Sequence, residues 1–593
     1  MPVFQQGSIN TAALVIPDVY VQEQQPPIVI NGLPTNVLGV VGTATWGPVN
    51  SPVTVGDLRS AVLAFGGAQN RKYDLLTGIW TAALQGANNI RAVRVTDGTD
   101  VAATTTLNNG AVASVALSGT LTGYTGGATI SFSAPPTGGV QATGVVNGTG
   151  TLTTVTITNP GSGYTVAPTA TVNPVSGGTG ATATATLSVA GASLTAKYTG
   201  TLGNSLVATL SNGSQTGTYR LTVAMPGYVP EVFDNIGAGL SGNALWIAIA
   251  NAINNGLSPQ RGASSLVIAT AGAGVTAPAV GTAGQTQTFA TGTDGATTIT
   301  GAVLVGQDTS PRKGMYCLRS TGCGVAFLAD CDDTTTFSAQ VAYGLSEGTY
   351  MVGVTPAGDS IANAVATKAS AGIDSFAFKY LFGDWIYFND TTNGVIRMVS
   401  PQGFVSGLMA NLSPEQSSLN KQVYGVVGTQ KSYNSQVYSS ADLQQLGQAG
   451  IDVITNPIPA GSMFGPRFGH NSSSNFAIHG DNYTRMTDFL ADTLDSAMGL
   501  FVGKLQSQQP NDATRQSVKT TIDNYLQVLV QQGMIDSFQT QCDLNNNLPQ
   551  RIAAGYLQVD VKVVYLAVVE YLIVNLQGGQ TVVVNRVNTA PAA

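Results

Sequence analysis

Charge is what this sequence has least of. Asp, Glu, Lys and Arg make up 9% of its 593 residues, where soluble domains carry roughly 25%. Solvated surfaces are normally built from those residues, so the shortage suits a molecule that covers much of itself with further copies of itself. Basic runs are missing, and 24 Lys+Arg against 31 Asp+Glu leave a net charge of −7. A direct grip on DNA or RNA therefore lacks its electrostatic footprint. No uninterrupted apolar run reaches the roughly 20 residues of a membrane span. The opening MPVFQQGSINTAALVIPDVYVQ has no charged region ahead of an apolar one, so the expectation is a protein assembled in the cytoplasm without stable membrane insertion. The four cysteines, Cys317, Cys323, Cys331 and Cys542, lack CxxC spacing. They predict neither a disulfide framework nor a zinc site, and read as buried thiols.

What is present is length and alternation. A chain of 593 residues exceeds what one hydrophobic core supports, so several cores are expected. Residues 1–30 read as an extended arm: Val15, Val19, Tyr20 and Val21 are β-formers followed by Pro26-Pro27, which cannot propagate a sheet. The arm looks like a strand without a local partner. From 31 to 96, an apolar strand over 37–42, helical spacing over 57–65 and 73–84, and a strand over 90–95 argue for an α/β core. That core resumes over 191–305, a central α/β domain spans 306–430, and a C-terminal domain spans 431–577.

Between the two core portions, 97–190 turns to Thr, Gly, Ala and Val with almost no charge. Its Thr/Val alternation has the period of a sheet, so it reads as an inserted all-β domain. Gly123-Tyr124-Thr125 is echoed forty residues on by Gly163-Tyr164-Thr165, and a glycine cluster follows each. Two copies of a short-stranded motif are expected.

In the C-terminal domain, Met486, Phe489, Leu490, Leu494, Ala497, Phe501 and Leu505 predict one long helix ended by Pro510. Asp512 or Thr514 caps a second helix with Val518, Ile522, Tyr525, Leu526 and Leu529 buried, stopping at Gly533. Both helices need a sheet to cover. Leu557, Val559, Val561 and Val563 alternate with polar residues, and a second strand over 571–576, with Tyr571 and Ile573, is expected to close a hairpin. Thr581, Val582, Val583 and Val584 follow two glycines as a detached strand in an arm at 578–593.

Motifs that look chemical read better as structure. Gly344-Leu345-Ser346-Glu347-Gly348 fits the nucleophile elbow, but that motif needs a strand before the serine and a helix after it, and here the order is reversed. It reads as a helix C-cap. His470 and His479, the only histidines, with Asp481, lack zinc-motif spacing and read as solvated loop residues. Gly237-Ala238-Gly239-Leu240-Ser241-Gly242 fits G-x-G-x-x-G without the acidic residue about 20 positions on, so it reads as a turn opening a helix. Asp330, Asp332 and Asp333 read as a strand-end turn with an N-cap. No P-loop occurs. No enzyme activity, catalytic residue, metal or cofactor is predicted.

Several stretches together resemble contractile tail sheath proteins of bacteriophages. Pro17-Asp18-Val19-Tyr20-Val21-Gln22-Glu23 is similar to the family's opening arm. Val40-Val41-Gly42-Thr43-Ala44, Ile90-Arg91-Ala92-Val93-Arg94-Val95 and Lys197-Tyr198-Thr199-Gly200-Thr201-Leu202-Gly203-Asn204 resemble later segments. Gly450-Ile451-Asp452-Val453-Ile454, Phe464-Gly465-Pro466-Arg467, Tyr483 with Arg485, Gln509-Pro510-Asn511, Gly533, Asp543 and Gly555 fall in the family's order. Ser400-Pro401 and Arg485-Met486 depart from its double proline and tandem arginines.

The resemblance implies a multidomain α/β and α+β fold with a sheath-type core, the C-terminal helices lying on a sheet, the all-β insertion as outer decoration, and extended terminal strand arms. It implies a helical homo-polymer around a tail tube, ending on baseplate and tail-terminator proteins, in a virion tail sheath or the related sheath of a tailocin. The arms of neighbouring subunits would add to the 557–576 hairpin, and contraction would drive the tube through the host envelope. A secreted β-rich adhesin or hydrolase is the rival reading.

Overall fold

Strand Val37–Gly42 is buried at every position, a pattern that a parallel sheet covered on both faces produces. It lies inside a six-stranded sheet in the order Phe378–Leu381, Tyr350–Val354, Val325–Leu328, Val37–Gly42, Asn89–Arg94 and Pro52–Val55. Every pairing is parallel except the last. Alternate residues serve opposite faces. Leu38, Val40, Val325, Phe327 and Val352 meet helices Leu58–Phe65, Leu75–Ala83 and Gln402–Asn411, while Val37, Val41, Ala326, Leu328 and Met351 face Phe337, Tyr343 and Ala364. The computed structural model describes residues 3–6, 20–23 and 30–578, except Asn109, Gly138, Thr165, Val189, 273–276 and 281–282.

This sheet corrects the expected domain plan. Strands from 37–94 and from 325–381 build one sheet, so the first core portion and the central domain share a core. Residues 192–289 instead pack around Trp246, Leu194, Leu210, Leu221 and Phe233. That core has a three-stranded sheet (Val267–Ala271, Ala192–Thr199, Ala102–Leu107), a four-stranded antiparallel sheet (Glu231–Ile236, Tyr219–Ala224, Val207–Asn212, Gln285–Thr288) and helix Gly242–Asn255. Alternation cannot say which strands pair, because every strand offers the same backbone donors and acceptors.

The two cores are joined through residues of the sheath-like motifs. The guanidinium of Arg94, fully buried, donates to Gly47 O at 2.8 Å and Thr199 O at 2.7 Å. Gly200 has φ +128°, and a Cβ there would lie 2.0 Å from Thr45 O, so only glycine fits. Asn204 donates to Gly292 O at 3.0 Å and accepts from Gly292 N at 2.7 Å.

Every regular element from Val112 to Leu187 is a strand, a span narrower than the expected 97–190. Ala102–Leu107 pairs with Ala192–Thr199, Leu107 opposite Ala192, and the inserted sheet runs from Val112 to Leu187 between these stem strands. Its six strands take the order Thr154–Asn159, Thr143–Asn147, Ala128–Phe132, Thr169–Pro174, Ala181–Leu187, Val112–Gly119.

The chain divides into two compact units, residues 34–413 with 418–479, and residues 1–33 with 414–417 and 480–593. Among the described residues no helix is long and apolar enough to cross a membrane.

Candidate functional site

The unit containing the C-terminal segment is built on helices Asp481–Met498 and Ala513–Gln531. Met486, Leu490, Val518, Ile522, Tyr525, Leu526 and Leu529 form its core. The first helix stops short of the expected one: Gly499–Phe501 is a 3-10 turn, Gly503 has φ +86°, and Leu505 is exposed. Asp512 accepts from Arg515 N at 2.9 Å and caps the second helix as expected. Arg515 is buried and donates to Ser507 O and Gln509 O, which closes the 507–512 turn around the Gln509-Pro510-Asn511 motif.

The sheet beneath the helices has two strands, Ile535–Gln541 and Asp560–Tyr565. Phe538 lies opposite Val563 and Thr540 opposite Val561. Val561, Val563 and Tyr565 are half-buried against the helices, while Lys562 and Val564 face out. Leu557 and Val559 lie in the run before the strand, also half-buried. Asn547 pins that run, donating to Gln558 O at 2.8 Å and accepting from Gln558 N at 2.6 Å. The strand's far end is held by Asn482 Nδ2 donating to Leu566 O at 3.0 Å, and by the Thr487 and Tyr565 hydroxyls 3.1 Å apart.

The expected hairpin does not form. The partner of Asp560–Tyr565 is Ile535–Gln541, and residues 571–576 run as exposed coil, with Tyr571 84% and Ile573 82% exposed. The intervening 566–570, Leu-Ala-Val-Val-Glu, carries no Gly, Pro, Asn, Asp or Ser to turn the chain back onto the strand. Neither strand has a second neighbour among the described residues. Among the described residues both outer edges are open.

The arms fall largely outside the described residues. Val15, Val19, Thr581, Val582, Val583 and Val584 lie there. Tyr20 and Val21 belong to strand Tyr20–Glu23, which pairs in parallel with Val3–Gln6. That corrects the expectation of a strand without local partner, since backbone donors and acceptors in a single chain pair with whatever extended segment is at hand. The root of the arm is anchored: Ile30 enters the core, Leu33 N donates to Thr493 Oγ1 at 3.3 Å, and a Cβ on Gly32 would lie 2.9 Å from Phe489 Cζ. Ile30 and Gly32 line a groove of about 390 Å³ with Phe489, Tyr525, Val528 and Met534.

One buried carboxyl in this unit, Asp488, is pushed far above its ordinary range. Burial, with Asp492 beside it, pushes Asp488 up to about 7, and its Oδ2 has no hydrogen-bond partner. Below about pH 4 the group is protonated both folded and unfolded. As pH rises from about 4 to about 7 the unfolded chain ionises first, so stability falls and the loss is complete above about 7. Asp488→Asn is therefore expected to raise the urea midpoint of this unit at pH 8, by up to about 4 kcal/mol, and to leave it unchanged at pH 4. Urea unfolding followed by circular dichroism at the two pH values checks this.

The other marked residues are dispersed. Ser346 sits in helix Phe337–Glu347, donates to Tyr343 O at 3.0 Å, and Gly348 caps the helix with φ +62°. Gly237 and Gly239 turn the chain from antiparallel strand Glu231–Ile236 into helix Gly242–Asn255. Asp333 caps a 3-10 turn, Asp332 pairs with Lys72 at 2.7 Å, and Asp330 accepts from Ser400 N at 3.2 Å. His470 departs from the expected solvated loop: it is buried, stacked on Phe468 with ring centroids 5.3 Å apart and 5.9 Å from His479. Asp481 is buried as the first residue of its helix. All four cysteines are buried and free, and burial pushes Cys323 and Cys331 up to about 11. Among the described residues no group of three His, Cys, Asp or Glu is placed to hold a metal.

Sequence reasoning passed over one buried constellation. Lys379 Nζ lies 2.7 Å from Asp452 Oδ2, both side chains fully buried. Asp452 also accepts from Val453 N at 2.8 Å, Phe468 N at 3.0 Å and Gly469 N at 3.0 Å, and Lys379 donates to His470 O at 3.0 Å. The signal was present: Asp452 is the lone acid in the apolar motif Gly450–Ile454. Gly465, in the next motif, would place a Cβ 2.1 Å from Lys421 O.

These features define a chain of layered α/β cores with a two-stranded sheet in its C-terminal unit. The comparisons name the family. Residues 473–577 match the phage tail sheath C-terminal domain, the family that the resemblance in the sequence pointed to. The whole fold is similar to that of the sheath tail protein from Listeria innocua, at 13% identity, a TM-score of 0.51, and coverage of 90% of this chain and 96% of that one. It is similar to the sheath tail protein from Desulfitobacterium hafniense at 14% identity, a TM-score of 0.50, and coverage of 88% and 93%. At these identities the likeness is one of fold. No curated protein matches the sequence.

Proposed function

We propose that the chain is a subunit of a contractile tail sheath, a structural protein that polymerises helically around a tail tube by adding terminal strands of neighbouring copies to the sheet of its C-terminal unit. The carrying observation is the two-stranded sheet Ile535–Gln541 and Asp560–Tyr565, whose outer edges are open among the described residues while 571–576 of the same unit expose six consecutive residues, five of them apolar. Two strands alone are marginal in water, and open edges invite further strands. Added strands gain main-chain hydrogen bonds, and alternate side chains supply register. Head-to-tail contacts of this kind do not close on themselves and give an open helix.

In this reading Val15, Val19, Tyr20 and Val21 in one arm and Thr581, Val582, Val583 and Val584 in the other are the donated residues. Contraction is a one-way change to a lattice that buries more intersubunit surface. At about 25 cal/mol per Å², roughly 200 Å² of extra apolar burial yields on the order of 5 kcal/mol per subunit, so no nucleotide is needed. Tube and baseplate proteins are its partners, the virion tail is its place, and penetration of the host envelope is the outcome. The overexpressed chain is expected to form hollow helical tubes by negative-stain electron microscopy, and a strictly monomeric protein would overturn the reading.

A further inference from the structure

The inserted sheet reads the same from either end. Each half of the module contributes a first strand (Val112–Gly119; Thr154–Asn159), a second (Ala128–Phe132; Thr169–Pro174) and a third (Thr143–Asn147; Ala181–Leu187). The two second strands pair antiparallel at the centre, with Ile130 opposite Val172 and Ser131 opposite Thr171, so the register maps onto itself when the halves are exchanged. Outward from there the match continues. Val145 lies opposite Thr129 in one half, and Thr184 opposite Thr169 in the other.

The first strands are exchanged. Val112–Gly119, from the first half, pairs with the third strand of the second half, Gly119 opposite Ala181. Thr154–Asn159, from the second half, pairs with the third strand of the first, Asn159 opposite Thr143. Side chains repeat the exchange. Ser118 and Thr182 share a hydrogen bond at 2.7 Å, and so do Thr158 and Thr143. Tyr124 OH accepts from Ala181 N at 2.9 Å, and Tyr164 OH accepts from Ala142 N at 2.9 Å. Even the glycines correspond, since a Cβ on Gly123 would lie 3.7 Å from Gly178 Cα, and one on Gly163 3.0 Å from Gly139 Cα. Every such contact links one half to the other.

We propose that residues 112–187 are two copies of one association unit fused in a single chain, and that each half has as its natural partner a second copy of itself. A lone half leaves its first strand without a ladder and its tyrosine hydroxyl without its amide, and a copy brought by another chain supplies both by the same two-fold exchange. No residue from 101 to 196 carries a charge, so nothing repels the approach of identical halves. The inference does not rest on the sheath reading.

The test uses the full chain with residues 150–188 replaced by a flexible Gly/Ser linker of about 12 residues, so that only the first half remains. Two-fold exchange places Ser118 of one chain opposite Thr143 of its copy. Ser118→Cys with Thr143→Cys is therefore expected to give a covalent dimer on oxidation in the half-module chain. The same two substitutions in the intact chain give none, because there Ser118 faces Thr182 and Thr143 faces Thr158. A half-module chain that stays uncross-linked would overturn the proposal if its complement works. That complement is a mixture with a chain lacking 112–149, carrying Ser118→Cys on the first chain and Thr182→Cys on the second. Formation of the mixed dimer alone shows that a half does not accept its own copy. Failure of both shows that the halves are not association units at all.

Discussion

Asp452→Ala is expected to destabilise the larger unit by about 3–5 kcal/mol, read as a fall in the urea midpoint followed by tryptophan fluorescence. Trp46, Trp80, Trp246 and Trp385, the four tryptophans of the chain, all lie in that unit. The substitution removes the carboxylate 2.7 Å from the fully buried Lys379 Nζ. It also removes the carboxylate that accepts from three amides, those of Val453, Phe468 and Gly469. A buried donor without an acceptor loses its whole desolvation cost. The double variant Lys379→Met with Asp452→Leu is expected to recover only the part of the loss due to the buried ammonium, because leucine offers the three amides no acceptor either. If Asp452→Ala shifted the midpoint by less than 1 kcal/mol, the pair would not be a buried one.

Ending the chain after Leu566 is expected to abolish tubes while leaving the subunit's melting behaviour unchanged. Tyr571, Leu572, Ile573 and Leu576 are between 82% and 89% exposed, so they add nothing to the fold of a single chain. Covered by a neighbour, four such side chains contribute on the order of 6–12 kcal/mol before the cost of ordering the segment. The cut keeps Leu566, whose carbonyl receives Asn482, and all of strand Asp560–Tyr565. Electron microscopy and circular dichroism on the same preparation separate the two effects. Tubes of normal appearance from the shortened chain would show that this segment is dispensable for assembly.

How much of this was legible depends on how far apart in sequence the decisive contacts lie. Helix Ala513–Gln531 was readable from Asp512 and from Val518, Ile522, Tyr525 and Leu529, because cap and stripe are local. Helix Asp481–Met498 was read too long: Leu505 keeps the spacing, but Gly499 and Gly503 end the helix before it. The sheath-like motifs were readable as a pattern while their cause was not. Gly200 is needed because Thr45 O lies where its Cβ would be, and Asp452 because Lys379 is buried beside it. In both pairs the partner is more than seventy residues away.

The sequence by itself determined the local elements, the two-fold echo of Tyr124 and Tyr164, the structural character of the Gly344–Gly348 motif, and the family of the C-terminal segment. Each of these is carried by side-chain order over short spans, where period, cap and glycine act directly on the backbone. Tertiary structure alone decided that strands from 37–94 and 325–381 share one sheet, that His470 is buried, that Asp560–Tyr565 pairs with Ile535–Gln541, and that the module's first strands are exchanged. Strand partners are chosen by backbone groups that every residue except proline carries in full, so the sequence pattern is silent between them and the packing of whole layers makes the choice.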